Sequence, residues 1–384
     1  MRFSVLLPTR NGGRYLEGCI RSVLEEPYDD MELVVSDNAN TDSTQSVLES
    51  FKHDRRLKVV RLSDPVCVTD NWNRALEAST GDYILMMGDD DCLLPGYFRR
   101  IEAVLKKYGN PDCVTYNAYS YVAPKSVSGN VRSYYKDPFF NFPPELSQEC
   151  LIAPGMRFAI VSDMFRFRNR IPLNMQTTLM ARAAMNTVKG GAFQPPFPDH
   201  YALNSLLLKA RSWVFVPDKM LVVGVSPKSF GHYVYSGKQD EGKRYLGINS
   251  DFKGLLPGIE LNNCMYVWLS MLKRDYAEKL ARISISRAEY VRRQVYSWYL
   301  QYRAHDASLS DLCRWPGKLS FMDWLYLFSI VFDASSWRRL WRMIPGSKKS
   351  KVENLWHGAI PLENITDIKE FARWVSERRP GILQ

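Results

Sequence analysis

Three consecutive carboxylates, Asp89, Asp90 and Asp91, follow the apolar run Tyr83-Ile84-Leu85-Met86-Met87 and precede Cys92-Leu93-Leu94-Pro95. Like charges side by side repel, and a carboxylate withdrawn unpaired from water is strongly destabilised. Such a run asks for a positive partner. Mg²⁺ or Mn²⁺ meets the demand, because both prefer carboxylate oxygen and leave coordination positions for water and substrate phosphates. If the run continues a strand, Asp89 and Asp91 share one face and act together. The reading without metal is an acidic N-cap ahead of a helix that has Pro95 in its first turn.

Positioning such a run requires the elements around it. Short segments rich in Val, Leu, Ile or Tyr recur at Phe3 to Leu7, Met31 to Ser36, Leu57 to Leu62, Asp82 to Met87 and Cys113 to Tyr116. Helical patterns fall between them, over Arg14 to Glu26, Asp42 to Lys52, Asn71 to Ala78 and Pro95 to Lys107. This alternation predicts an α/β fold with a mostly parallel, helix-covered sheet, and such sheets take ligands at the carboxyl ends of their strands. The tips there are Pro8-Thr9-Arg10-Asn11-Gly12-Gly13, Asp37-Asn38-Ala39-Asn40 and the acidic run. Ser120 to Pro144 reads as a polar, aromatic excursion over the site, Gln176 to Arg182 and Pro195 to Arg211 as further elements, and the chain from about Leu261 as helical.

Composition limits the classes. The net charge is +10, yet the chain up to Lys125 holds 15 basic and 19 acidic residues, so the basic excess lies later. It concentrates in Ser335 to Lys351, which has six Lys or Arg, two Trp and no acid. Basic and aromatic residues interleaved in this way suit an anionic membrane surface, although Trp337, Leu340, Trp341 and Ile344 also have the spacing of a helix packed on a core. The seven cysteines are scattered, with no Cys-x-x-Cys pair, which predicts reduced thiols. The longest apolar run, Trp324 to Phe332, is about half of the roughly 20 residues a spanning helix needs. The first residues read as a strand rather than a signal peptide, so the expectation is a cytoplasmic protein, peripheral at most at the inner face of the membrane.

PTRNGGRYLEGCIRSVL, ELVVSDNANTDST and NWNRALEASTGDYILMMGDDD, in that order, resemble the successive motifs of family 2 glycosyltransferases with the GT-A fold. The resemblance covers the first third of the chain well and the segment to about Arg211 more loosely. It implies a GT-A nucleotide-sugar-binding and catalytic domain over residues 1–258, with a helical C-terminal region over 259–384. It implies metal-dependent inverting transfer from a nucleotide diphosphate sugar, UDP-sugar favoured, to a hydroxyl of a glycan or lipid-linked glycan in bacterial surface polysaccharide synthesis, with Mn²⁺ or Mg²⁺ and without nucleic acid. By the same resemblance Pro8, Thr9 and Arg10 lie against the nucleotide, Asp37 accepts from the base, and Asn71 belongs to the donor site. Asp89 and Asp90 face the ribose, and Asp91 holds the metal together with Asp89.

PFPDHYALNSLLLKA resembles the segment in which a carboxylate begins a helix and serves as the catalytic base, which makes Asp199 the candidate. A helix N-cap is its other reading. Ser226 to Arg244 has the composition of a loop closing on a charged ligand, with Lys228, His232 and Lys238 toward the diphosphate and His232 as a further metal ligand. Asp37 and Asn38 could equally build a turn. Two other classes stay open: a nucleotide-sugar or membrane-surface binding protein without turnover, and a sugar nucleotidyltransferase.

Overall fold

The computed structural model describes residues 1–126, 130–226, 255–258, 260–303, 307–329 and 358–378. The first half alternates strand and helix: β1 (Phe3–Thr9), α1 (Gly13–Leu24), β2 (Met31–Asp37), α2 (Thr44–Ser50), β3 (Leu57–Arg61), α3 (Val68–Ala78) and β4 (Tyr83–Met86). β1 pairs in parallel with β2 and β4, and β2 with β3. Both faces of β1 and β2 are covered, which is why their sequences are nearly unbroken apolar runs. On α1, Leu16, Cys19, Ile20, Val23 and Leu24 form the buried stripe.

After the acidic run come β5 (Cys92–Leu93), α4 (Tyr97–Lys107), β6 (Cys113–Val122), β7 (Ser133–Lys136), β8 (Cys150–Leu151), α5 (Pro154–Met164), β9 (Thr178–Ala181), α6 (Arg182–Met185), α7 (Pro198–Lys209) and β10 (Trp213–Val225). The sheet runs β11-β7-β6-β9-β4-β1-β2-β3, where β11 is Ile360–Leu362, and β10 lies alongside β6, β5 and β8. β9 enters antiparallel between β4 and β6. This is the mixed, mostly parallel, helix-flanked sheet that the alternation predicts.

Three local expectations shift. Pro95 lies outside α4, whose N-cap is Gly96 at φ +90°, and the first amide is met from a distance: Gly96 N–H donates to Glu26 Oε1 at 2.9 Å. α3 begins at Val68, so Asn71 is already inside the helix, buried, with its Oδ1 accepting from Ser36 Oγ at 2.6 Å. Ser120 to Pro144 is less an excursion than a hairpin, since β6 continues to Val122 and β7 returns antiparallel to it.

The C-terminal region contributes α8 (Glu260–Asp275), α9 (Ala277–Leu280), α10 (Arg287–Arg303), α11 (Leu309–Arg314), α12 (Phe321–Phe328) and α13 (Ile368–Arg378). It is not helical throughout, because β11 pairs antiparallel with β7 and so adds a strand to the sheet. The buried face of α13, Ile368, Phe371, Ala372 and Val375, forms a second apolar cluster with Cys92, Leu94, Tyr119, Tyr121 and Val222. Phe371 stands 5.4 Å from the Tyr121 ring and 5.2 Å from that of Tyr135, and Ser133 Oγ donates to the Ile365 carbonyl at 2.5 Å. Removing a fully buried phenyl group lowers stability by about 3–5 kcal/mol. Phe371→Ala should therefore move the urea midpoint by that amount with an unchanged slope, and a shift below about 1 kcal/mol would mean that this segment does not hold the sheet.

Candidate active site

The parallel register sets Thr9 beside Asp37, at the carboxyl ends of β1 and β2, with the end of β4 on the other side of β1. Thr9 Oγ1 donates to Asp89 Oδ2 at 2.6 Å, joining the first tip to the third. The Asn38 amide donates to the Thr9 carbonyl at 3.2 Å, joining the first to the second. Three loops far apart in sequence are thus tied into one rim.

The loop after β2 is stiffened from within. Asp37 is 2% exposed, and its Oδ1 accepts from the Asn40 amide at 3.1 Å and from Asn40 Nδ2 at 2.7 Å, while Arg61 Nε stands 3.8 Å from Oδ2. Asn38 is stapled in both directions to Val66, accepting its amide at 2.8 Å and donating Nδ2 to its carbonyl at 2.9 Å. Asn40 Oδ1 accepts the Asn11 amide, and Asn11 Oδ1 accepts the Thr41 amide at 2.8 Å. Asp42 Oδ2 takes the Gly13 amide at 3.0 Å, binding the starts of α1 and α2 together. Asn11 at φ +54° and Ala39 at φ +50° occupy the left-handed region, and Ala39 does so without glycine's freedom.

The acidic run does not continue the strand. β4 ends at Met86, and residues 88–91 form a turn in which the Asp91 amide donates to the Gly88 carbonyl at 3.2 Å. Alternation across a pleat therefore does not apply to Asp89 and Asp91. Asp91 points inward: it is 1% exposed, with Oδ2 accepting the Gly88 amide at 2.7 Å and Oδ1 the Gly224 amide at 3.0 Å. Burial pushes its carboxyl well above the usual range, and the neighbouring Asp90 adds to the rise, against the lowering by the two amides. Asp90 Oδ2 accepts the Ser226 amide at 3.1 Å, and Asp89 and Asp90 are both half-buried rather than enclosed. Beneath the turn, Cys19 Sγ donates to the Gly88 carbonyl at 3.3 Å, and burial raises its thiol pKa strongly.

Among the described residues, no three His, Cys, Asp or Glu side chains converge as a metal cage. The donor set still fits a hard cation, since one or two carboxylates plus substrate phosphates suffice for Mg²⁺ or Mn²⁺. Asp89 and Asp90 present half-buried carboxylates at this turn. Asp91, the expected ligand, has both oxygens on backbone amides. His232, Lys228 and Lys238 lie outside the described residues.

Asp199 stands apart from this hydrogen-bonded rim. It is the second residue of α7, after Pro198, and is half-buried. The N-cap position is taken by Phe197 without a side-chain cap, and Asp199 Oδ1 accepts its neighbour's amide, that of His200, at 2.9 Å. His200 is packed, with its ring 5.6 Å from that of Trp268 on α8 at an interplanar angle of 17°. The loop ahead of α7 is anchored to α3, where Asn73 Nδ2 donates to the Phe193 carbonyl at 3.0 Å and Phe193 N–H donates to Asn73 Oδ1 at 3.3 Å. Asn71 and Asn73, two residues apart, thereby connect β2 to the Asp199 loop. Asn71 does so at Ser36, the residue before Asp37 in β2.

Asn40, Asn73, Gly224 and Ser226 carry this architecture; the sequence places Asn40 at a strand tip, Asn73 in a helix and Ser226 in a loop without singling them out, and does not point to Gly224 at all. Gly224 is the most exacting, since a Cβ there would fall 1.8 Å from the Asp90 carbonyl oxygen, a backbone atom that cannot swing aside. Gly224→Ala should lower the melting temperature; a variant that melts with the parent would show that this close approach is unimportant. Ala39→Gly should instead stabilise, by about 0.5–1 kcal/mol in urea denaturation, because it relieves a left-handed alanine.

Residues 4–166 match the model of Glycosyl transferase family 2. Over 97 residues the chain is 33% identical to the Campylobacter jejuni protein named GalNAc(5)-diNAcBac-PP-undecaprenol beta-1,3-glucosyltransferase, a stretch covering 25% of this chain and 31% of that one. Over 93 residues it is 34% identical to the PGL/p-HBAD biosynthesis glycosyltransferase of Mycobacterium bovis, covering 24% and 36%. The chain thus spans about a third of the length of these relatives. Among solved structures it resembles S. aureus TarS residues 1–349, crystallised in complex with UDP-GlcNAc, with a TM-score of 0.51, 15% identity, and 83% of this chain and 80% of that chain covered. That likeness is one of fold.

Proposed function

We propose that this chain, whose residues 4–166 make it a member of glycosyl transferase family 2, transfers a sugar from a nucleotide diphosphate sugar, UDP-linked, to a hydroxyl of a glycan or lipid-linked glycan in bacterial surface polysaccharide synthesis. The observation that carries the proposal is the meeting of Thr9, Asp37 and Asp89 at the carboxyl end of a parallel sheet, where open α/β sheets take their ligands: Thr9 is hydrogen-bonded to Asp89 and lies in register beside Asp37, and Asn40 Nδ2 donates both to Asp37 Oδ1 and to the Thr9 carbonyl.

The residues divide the work by position. Pro8, Thr9 and Arg10 line the first loop against the nucleotide, and Asp37, held by Asn40, presents its second oxygen to the base. Asp89 and Asp90 face the ribose and diphosphate, and they would hold Mg²⁺ or Mn²⁺. A bound divalent ion would offset negative charge gathering on the departing diphosphate. Asp91 positions the other two carboxylates by fixing the turn between Gly88 and Gly224.

Asp199 takes the proton from the acceptor hydroxyl. The hydroxyl oxygen attacks the anomeric carbon, the bond from that carbon to the diphosphate oxygen breaks with its electron pair leaving on the diphosphate, and the configuration inverts. A half-buried carboxylate in the first turn of a packed helix suits this task, because it keeps little freedom to lose and meets the acceptor partly out of water.

A donor screen by thermal shift tests the first half of the proposal. A donor that binds only the folded state should add about 2.7 kcal/mol at 100 times its dissociation constant. UDP-sugar with Mn²⁺ should stabilise, and stabilisation by GDP- or dTDP-sugars alone would overturn the base assignment. For the second half, Asp199→Asn should slow transfer by about 10²- to 10⁴-fold while leaving the donor-induced shift intact, and equal turnover would remove Asp199 from the mechanism.

A further inference from the structure

Among the described residues, α12 is built the wrong way round for a helix on a soluble surface. Its only charged residue, Asp323, is 2% exposed and is clamped by Arg287 of α10 through Nε at 2.9 Å and Nη2 at 3.0 Å. Its large apolar residues face out: Phe321 is 77% exposed, Phe328 66%, and Met322, Trp324 and Leu325 are exposed as well. Phe321, Trp324, Leu325 and Phe328 have the spacing of a single helical stripe. Further bonds fix the orientation, since Ser320 caps the helix in a capping box with Asp323 and Arg292 Nε donates to the Tyr326 carbonyl at 3.3 Å. The stripe therefore cannot roll inward without breaking an ion pair whose carboxylate is buried, which would leave that charge without its partner. Exposed Leu300 and Tyr302 of α10 and Leu309 of α11 extend the apolar character of this region. A contiguous apolar face of this kind on a folded protein marks an interaction surface.

We propose that α12 is the membrane-contacting element of this protein, laying its Phe321, Trp324, Leu325 and Phe328 stripe into the interfacial zone of a bilayer containing anionic lipid. Chemistry and charge select this occupant. Phe and Trp on an apolar stripe suit the boundary between headgroup and acyl chain. The chain after α12 holds six Lys or Arg and no acid over residues 335–351, which an anionic surface attracts at about 1 kcal/mol per charge and which a second copy would repel. Among the described residues no helix is long and apolar enough to cross a membrane, so the contact is a lying one. The inference rests on the α12 stripe together with the charge of residues 335–351, which lie outside the described residues, and does not depend on the reaction assigned above.

Co-sedimentation of the full chain with phosphatidylcholine vesicles containing about a quarter phosphatidylglycerol tests it. The parent should bind these vesicles about tenfold or more tightly than the triple variant Phe321→Ser, Trp324→Ser, Phe328→Ser, and pure phosphatidylcholine or high salt should weaken the parent. The triple change to Leu at the same positions should restore most of the binding, which separates an apolar requirement from a folding defect. Equal binding by parent and Ser variant, or no binding by the parent, would overturn the proposal. So would a parent dimer in sedimentation velocity that the Ser variant dissociates, since the stripe's occupant would then be a second copy.

Discussion

The carboxylate of Asp91 accepts two backbone amides, one from Gly88 in its own turn and one from Gly224 on a strand 133 residues later. Bridging of this kind cannot be replaced by packing. A carboxylate inside a fold is tolerated only where donors converge on it, and here the donors are main-chain groups, which have no rotamers to lose. The turn between β4 and β5 is thereby given a single shape. Its two other aspartates are carried outward by that shape, where they meet Thr9 from β1 and Ser226 from the end of β10. The acidic rim is thus an outcome of main-chain geometry on three strands rather than of the aspartates alone.

A second set of bonds does the same for the neighbouring loops through asparagine. Asn11, Asn38 and Asn40 each use a short side chain with both a donor and an acceptor to hold a backbone segment in place. Such side chains mimic turns and tolerate the left-handed conformation that Asn11 adopts. Asn71 and Asn73 continue the pattern on α3, from Ser36 near the end of β2 to Phe193 ahead of α7. Asparagine contacts thus link the carboxyl end of β2, through α3, to the loop ahead of the helix that carries Asp199.

Much of this was legible in the chain itself where the signal was local. The apolar runs of β1, β2 and β4 and the stripe of α1 announced a parallel sheet, and the polar tips marked the loops that meet in one rim. What was not legible depended on partners distant in sequence. Nothing near Asp91 indicates that Gly224 will supply an amide to it, so the run looked like strand, and pleat alternation paired Asp91 with Asp89 where the structure has a turn. Nothing near Gly96 reveals that Glu26 will meet its amide, so Pro95 looked like the start of α4. β11 escaped notice because three residues, Ile360 to Leu362, carry no period and become a strand only beside β7.

The late return of β11 and α13 to the sheet has a consequence for biosynthesis. Tyr121, Tyr135 and Leu94 acquire their cover from Phe371 and Val375, which emerge from the ribosome some 240 residues after β7 has left it. For that interval the nascent polypeptide displays an uncovered aromatic patch and an open strand edge, both of the kind that chaperones engage and that promotes misassociation between neighbouring chains on a polysome.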